Sequence, residues 1–226
     1  MDSETSYQSL NDVMDDQLFP EIDCQLRKGA HIGHEDITAY SFLQEARPFL
    51  TQFYRRYHCE LVHDNKEEAD FFFLSSYGDL FGKRKLSAAE MVVGMTLAYM
   101  LMDPEYISKK IPLDRLIFTM KGLMGNEEYL LRVAPRFRGR DSEGDEQKAE
   151  KEVSKCLRRL EALGFLSWPR SPGDIMPKSP IFRFIAPARG LGSLDENIKI
   201  LVNRGLVEID QLEDEDIEVQ EEGADE

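Results

Sequence analysis

The sequence predicts an α+β fold, mainly helical, arranged as two tandem winged-helix domains with small β-hairpin wings. Three observations predict it. Residues 145–168 read as a helix that turns directly into a strand. The first half of the chain places helices ahead of two apolar, strand-like runs. The second half repeats that order of elements without repeating its residues.

The stretch at 145–168 is the most informative. Asp145 is a candidate cap and Gly164 a candidate stop. At roughly 100° per residue, Ala149, Val153, Cys156, Leu157, Leu160 and Leu163 share one face. Lys148, Lys151, Lys155, Arg158 and Arg159 share an arc roughly opposite. Phe165, Leu166 and Trp168 then suit a strand. A helix apolar on one side and basic on the other, followed at once by a strand, suits a recognition helix and its wing. Glu150 and Glu152 interleave the lysines, so a merely solvated face is the plain alternative.

The remaining elements follow in chain order. Leu18, Phe19, Ile22 and Leu26 predict a helix that Gly29 stops. His31-Ile32 is long enough for one pair of strand residues. Asp36 is placed to cap a helix through Leu43, and Pro48 to open another through Tyr57. Glu60-Leu61-Val62 reads as a strand, Asp64-Asn65 as the start of a turn, and Phe71-Phe72-Phe73-Leu74 as the returning strand. Helices followed by a two-stranded hairpin is the winged-helix order. Further on, Ser87 and Glu90 make a capping box for an apolar helix over Met91–Met102. Pro112 opens a helix bearing Leu113, Leu116, Ile117 and Met120, and Glu127–Val133 forms a shorter one. After the central helix and its strand, a Pro/Gly-rich turn leads to a strand at Ile181–Ile185. Residues 193–204 form a last short helix.

The predicted organisation is therefore an acidic mobile N-terminus at 1–17, an N-terminal winged-helix domain at 18–80, a C-terminal winged-helix domain at 81–190, a C-terminal helix at 191–207 and a disordered acidic tail at 208–226.

The net charge of −15 at first argues against nucleic acid, but its placement matters more than its sum. Residues 1–16 and 208–226 together hold sixteen acidic residues and no Lys or Arg, so residues 17–207 sum to +1. Blocks of like charge repel and build no core. Cys24, Cys59 and Cys156 are odd in number and widely spaced, as in proteins that keep their thiols reduced. No signal peptide is expected. The most apolar run, Met91–Met102, is too short for a membrane span of about 20 residues. The expected location is the cytoplasm.

Motifs for chemistry fail on context. His31-Ile32-Gly33-His34 spells the HIGH signature of one class of aminoacyl-tRNA synthetases. It follows a helix rather than a Rossmann strand, and no lysine loop comes later. The plainer reading is a turn in which Gly33 relieves the backbone. His31, His34, His58, His63, Cys24 and Cys59 follow no structural zinc spacing. Gly78–Lys83 has one residue too few between its glycines for a P-loop, and Arg84 stands where Ser or Thr is needed. No enzymatic activity, metal or cofactor is expected. The basic features remain: the arc on the central helix, Arg136-Arg138-Arg140 ahead of it, and Lys83-Arg84-Lys85. Lys and Arg neutralise phosphates without reading bases.

Taken together, these residues resemble the MukE family, the tandem winged-helix subunits of the bacterial MukBEF condensin. The resemblance rests on Leu18-Phe19-Pro20, Gly29-x-His31-Ile32-Gly33, Phe42-Leu43, Phe53-Tyr54-x-Arg56-Tyr57-x-x-Glu60-Leu61 and Phe72. It continues through Val93-Gly94, Gln147-Lys148, Val153, Leu157, Leu160 and Leu163-Gly164 to Ile181-Phe182-Arg183-Phe184.

That resemblance implies a non-enzymatic homodimer. It would bind an extended segment of a kleisin subunit like MukF, and through it a large ATPase of the structural-maintenance-of-chromosomes (SMC) type like MukB. The assembly organises and segregates the chromosome, so DNA contact and nucleoid association are expected. The family's basic positions are kept at Arg138 and Lys148. Others fall on Ser154, Glu161 and Ala162, which carry no positive charge. Lys151, Lys155, Arg158 and Arg159 supply charge nearby. The expected DNA-binding residues are thus Arg138, Lys148, Lys151, Lys155, Arg158 and Arg159. Phe71–Phe73 and Tyr54 are weighed as contributors to a kleisin groove against simple core packing. The alternative function is a stand-alone tandem winged-helix transcription regulator, which needs side chains aimed at base edges.

Overall fold

The computed structural model describes residues 7–66, 69–77, 86–106, 110–133, 142–169 and 173–188. Among these, the chain is α+β and mainly helical, with small antiparallel hairpins. Most of its buried hydrophobic side chains gather into two clusters, one from Val13 to Phe72 and one from Val92 to Ile185.

The first half contains α1 (Leu10–Asp15), α2 (Phe19–Arg27), β1 (Ile32–Gly33), α3 (Ile37–Arg55), β2 (Cys59–Lys66) and β3 (Ala69–Ser76). The helix α1 corrects the expectation of a mobile segment before Leu18. Ser9 Oγ accepts from the Asp12 N–H, Asp12 accepts from the Ser9 N–H, and Val13 is fully buried. A reciprocal cap and one buried valine hold this short turn in place. Pro48 does not start a new helix but lies inside α3. It cannot give the Gln44 carbonyl its helical N–H bond. Ala39, Leu43, Ala46, Leu50 and Tyr54 are nevertheless buried along one stripe on both sides of it, and that burial outweighs the lost bond.

The sheet order is β1-β3-β2. β2 and β3 pair in register from Cys59 opposite Ser76 to Lys66 opposite Ala69, so the ladder runs through the expected turn at Asp64-Asn65. Phe71 and Phe72 are neighbours on a strand and point to opposite faces, yet both are fully buried. Phe72 packs into the first cluster with α3. Phe71 faces the other way, beside His31. The sheet is covered on both sides.

The second half contains α4 (Ala88–Leu101), a 3-10 turn (Pro104–Tyr106), α5 (Leu113–Met124), α6 (Asn126–Val133), α7 (Ser142–Ala162), β4 (Leu166–Ser167), β5 (Met176–Pro177) and a 3-10 helix (Ser179–Ala188). α4 has the expected capping box and is buried nearly all round. A β-carbon on Gly94 would strike the Phe184 ring, so glycine there is what admits that ring against α4. Asp145 is not a cap: α7 begins at Ser142, and Asp145 is a buried helical residue 3.5 Å from Lys148. The expected strand at Ile181–Ile185 is 3-10 helix instead. Ile181, Phe184 and Ile185 are buried at helical rather than alternate spacing, and the returning strand is the shorter β5. The expected helix at 193–204, the acidic tail, Lys83-Arg84-Lys85 and the Gly78–Lys83 motif lie outside the described residues.

Candidate nucleic-acid interface

α7 is held by its apolar face. Ala149, Val153, Cys156, Leu157, Leu160 and Leu163 are all buried in the second cluster, against α4 among others. Burial pushes the Cys156 thiol up to about 12, with Glu90 and Glu152 adding to the effect, so it packs as a small protonated hydrophobe. The helix ends in a Schellman motif. Gly164, at φ +78°, donates to the Glu161 carbonyl at 2.9 Å, and Phe165 donates to the Leu160 carbonyl at 3.0 Å. The chain then passes directly into β4.

The basic arc does not present five equivalent charges. Lys151 is exposed on α7. Lys148 is half exposed and lies 3.5 Å from Asp145. Lys155 is the most exposed of the paired cations and makes a 2.6 Å ion pair with Glu152, a surface pair that water and salt readily loosen. Arg158 and Arg159 turn toward the protein. Arg159 Nε sits 3.0 Å from the carboxylate of Glu90, which is buried on α4. Arg158 stacks its guanidinium 4.1 Å over the Trp168 ring and donates to Glu161 at 2.8 Å. An open groove of about 540 Å³ lies along α7 beside Trp168, lined by Ser154, Lys155, Arg158, Arg159 and Trp168. Arg138, with Arg136 and Arg140, lies outside the described residues.

Sequence reasoning missed Glu90, Glu161 and Trp168. The i,i+3 spacing of Arg158 and Glu161 was a usable signal for an internal pair. The link from Arg159 to Glu90 had none, because the partner lies on another helix.

The HIGH segment is structural. The His31 N–H donates to the Leu163 carbonyl at 2.9 Å. The ring is buried 4.3 Å from Phe165 and 5.3 Å from Phe73, between the two halves. Arg183 can only donate, so His31 Nε2 accepts from it and Nδ1–H faces the Leu163 carbonyl. Burial, then the Arg183 charge, lowers the His31 pKa from 6.5 to about 3. Gly33 does not relieve a left-handed turn, since its φ is ordinary for any residue. It leaves room for Glu35, Ser179 and Pro180, which a β-carbon would strike. Glu35 then accepts from the Ser179 N–H at 2.6 Å. His63 is equally occupied: it lies 2.9 Å from Asp70, which also accepts from Tyr40, and stacks on Phe72. Among the described residues no three His, Cys, Asp or Glu side chains are grouped to hold a metal ion.

The residues weighed for a kleisin groove are mostly core. Tyr54, Phe71 and Phe72 are fully buried, and the Tyr54 hydroxyl donates to Asp23 at 2.9 Å. Phe73 is partly covered by Arg183, whose guanidinium lies 4.1 Å from its ring centre. No helix among the described residues is long and apolar enough to cross a membrane.

Comparison with known proteins adds an independent finding. The model of the MukE-like family matches residues 7–226. The chain is 33% identical over 193 residues to the chromosome partition protein MukE of Histophilus somni, covering 81% of this chain and 75% of that protein. It is 34% identical over 180 residues to the protein of the same name from Actinobacillus succinogenes, covering 76% and 70%. Against the one from Vibrio cholerae it is 30% identical over 189 residues, covering 83% and 80%.

Proposed function

The chain belongs to the MukE-like family, and from that membership we propose that it is a non-enzymatic accessory subunit of a chromosome-partition complex. In this reading it is a homodimer of tandem winged-helix protomers, divided near residue 80. It takes a kleisin segment, joins an SMC-type ATPase through that kleisin, and works at the nucleoid in the cytoplasm. It contacts DNA without reading its sequence. The observation that carries the DNA contact is the outer face of α7. Lys148, Lys151 and Lys155 stand on a helix anchored by six buried side chains, beside a groove that ends at a hairpin. Lysines on a rigid support neutralise phosphates but discriminate bases poorly.

The test is native co-purification of the tagged chain with mass identification of what it brings down. A kleisin and a large coiled-coil ATPase are the expected companions. A chain that emerges alone and protects one specific DNA site overturns the reading in favour of a transcription regulator.

A further inference from the structure

β4 and β5 are two residues each, too short a ladder to hold a hairpin by itself. A clamp from α7 supports it. Arg158 Nη1 donates to Glu161 Oε2 at 2.8 Å and to the Trp168 carbonyl at 2.5 Å. Both hydrogens on that nitrogen are therefore directed inward. The guanidinium plane covers the indole, its carbon 4.1 Å from the ring centre. The other oxygen of Glu161 accepts from the Trp168 N–H at 2.7 Å. The indole N–H donates to the Gly173 carbonyl at 2.5 Å. One arginine–glutamate pair thus grips Trp168 at its N–H, its carbonyl and its ring face. Trp168 in turn ties down Gly173, ahead of β5. A lysine cannot replace this arginine, because an ammonium has no fork and no plane to lay on the indole.

We infer that Arg158 is a positioning residue rather than a phosphate ligand: it sets the hairpin against the groove, and Lys151 and Lys155 make the phosphate contacts. This rests on the nucleic-acid reading proposed above. Arg158 and Lys155 each pair with a glutamate, but the Lys155 side chain is 73% exposed against 40% for Arg158, and Lys151 is exposed on α7.

Trp168 is the only tryptophan in the chain, so its emission reports the clamp directly. The experiment uses the full-length chain and a random-sequence DNA duplex, with Arg158→Lys, Arg158→Gln and the pair Lys151→Glu/Lys155→Glu. Arg158→Lys is expected to shift Trp168 emission to the red and raise its quenching by acrylamide several-fold. DNA affinity falls about tenfold at every salt concentration, while the log–log salt slope stays that of the parent. The lysine pair leaves emission unchanged and flattens the slope by roughly 2 units. Emission and quenching unchanged in Arg158→Lys overturn the clamp. Full affinity in Arg158→Lys, with a slope flattened by about one unit in Arg158→Gln, makes Arg158 a phosphate contact and overturns the inference. A lysine pair that binds as the parent does overturns the nucleic-acid reading, and the emission arm still decides the clamp. If Arg158→Lys loses the far-UV signal of the folded chain, Glu161→Gln gives the same emission test with Arg158 intact.

Discussion

The space that a β-carbon on Gly164 would need is occupied by the carbonyl oxygen of His31. One is the residue that ends α7. The other immediately precedes β1, an edge strand of the first sheet. The same contact carries the His31 N–H bond to Leu163 and sets the His31 ring against Phe165. The end of α7 is thus one place where the two halves meet, beside the 3-10 helix that packs on β3.

Gly164→Ala is therefore expected to cost more than a left-handed backbone alone. Gly173 supplies the control, since it also has a positive φ, +84°, but has nothing within 4 Å of its β-position. Gly173→Ala should lower stability by about 1–2 kcal/mol. Gly164→Ala should lower it by about 2 kcal/mol beyond that, because His31 must move. Urea midpoints of the two variants check this, and equal losses would show that the close approach contributes nothing.

His31 links the same contact to pH. Its folded pKa of about 3 lies below its ordinary 6.5, so folding favours the neutral ring. The stabilisation is complete above pH 6.5 and is lost as pH falls toward 3. Between about pH 7 and 5 the loss from this one group is about 2 kcal/mol. His31→Phe removes the titration, so its stability should fall less steeply over that interval than the parent's, whatever its absolute value. Parallel slopes would assign the acid sensitivity to other groups.

Gly94 and Phe184 form a matched pair. Gly94→Ala is expected to destabilise by about 1–3 kcal/mol through overpacking against the ring. Adding Phe184→Leu should recover part of that loss. A double-mutant cycle in urea measures the coupling, and simple additivity would rule out the direct contact.

Arg159 and Lys151 share the basic arc but should behave differently. Arg159→Ala leaves one oxygen of the buried Glu90 without its cation, at a cost of about 1–3 kcal/mol. Lys151→Ala should change stability by no more than about 0.5 kcal/mol. Thermal or urea unfolding separates them. An Arg159→Ala as stable as the parent would return Arg159 to the set of free surface charges.

Much of the fold was legible because it obeys local rules. Ser87 and Glu90 announce α4, Gly29 and Gly164 end their helices, and the apolar spacing of Ala149–Leu163 names the buried face of α7. Errors fell where packing overrode a local signal. Pro48 is tolerated inside α3 because the stripe on either side is buried. Ile181–Ile185 is helical because three of its side chains fill one side of the second cluster. The basic arc was legible as positions and not as roles. Periodicity places Arg158 and Arg159 beside the lysines, but a 100° arc is wide enough for its edges to touch the protein.

The sequence by itself determined the class of fold, several of its helices and the first hairpin, the buried and basic sides of α7 and the family resemblance. Each depends on residues near one another in the chain, where the helical and strand periods operate. Only the tertiary structure decided which charges stay exposed, why Gly33, Gly94 and Gly164 carry no side chain, and why the HIGH segment is a buried junction. Those answers depend on Glu90, Phe184, Ser179 and Arg183, partners that lie on other elements and meet these residues only once both clusters have formed.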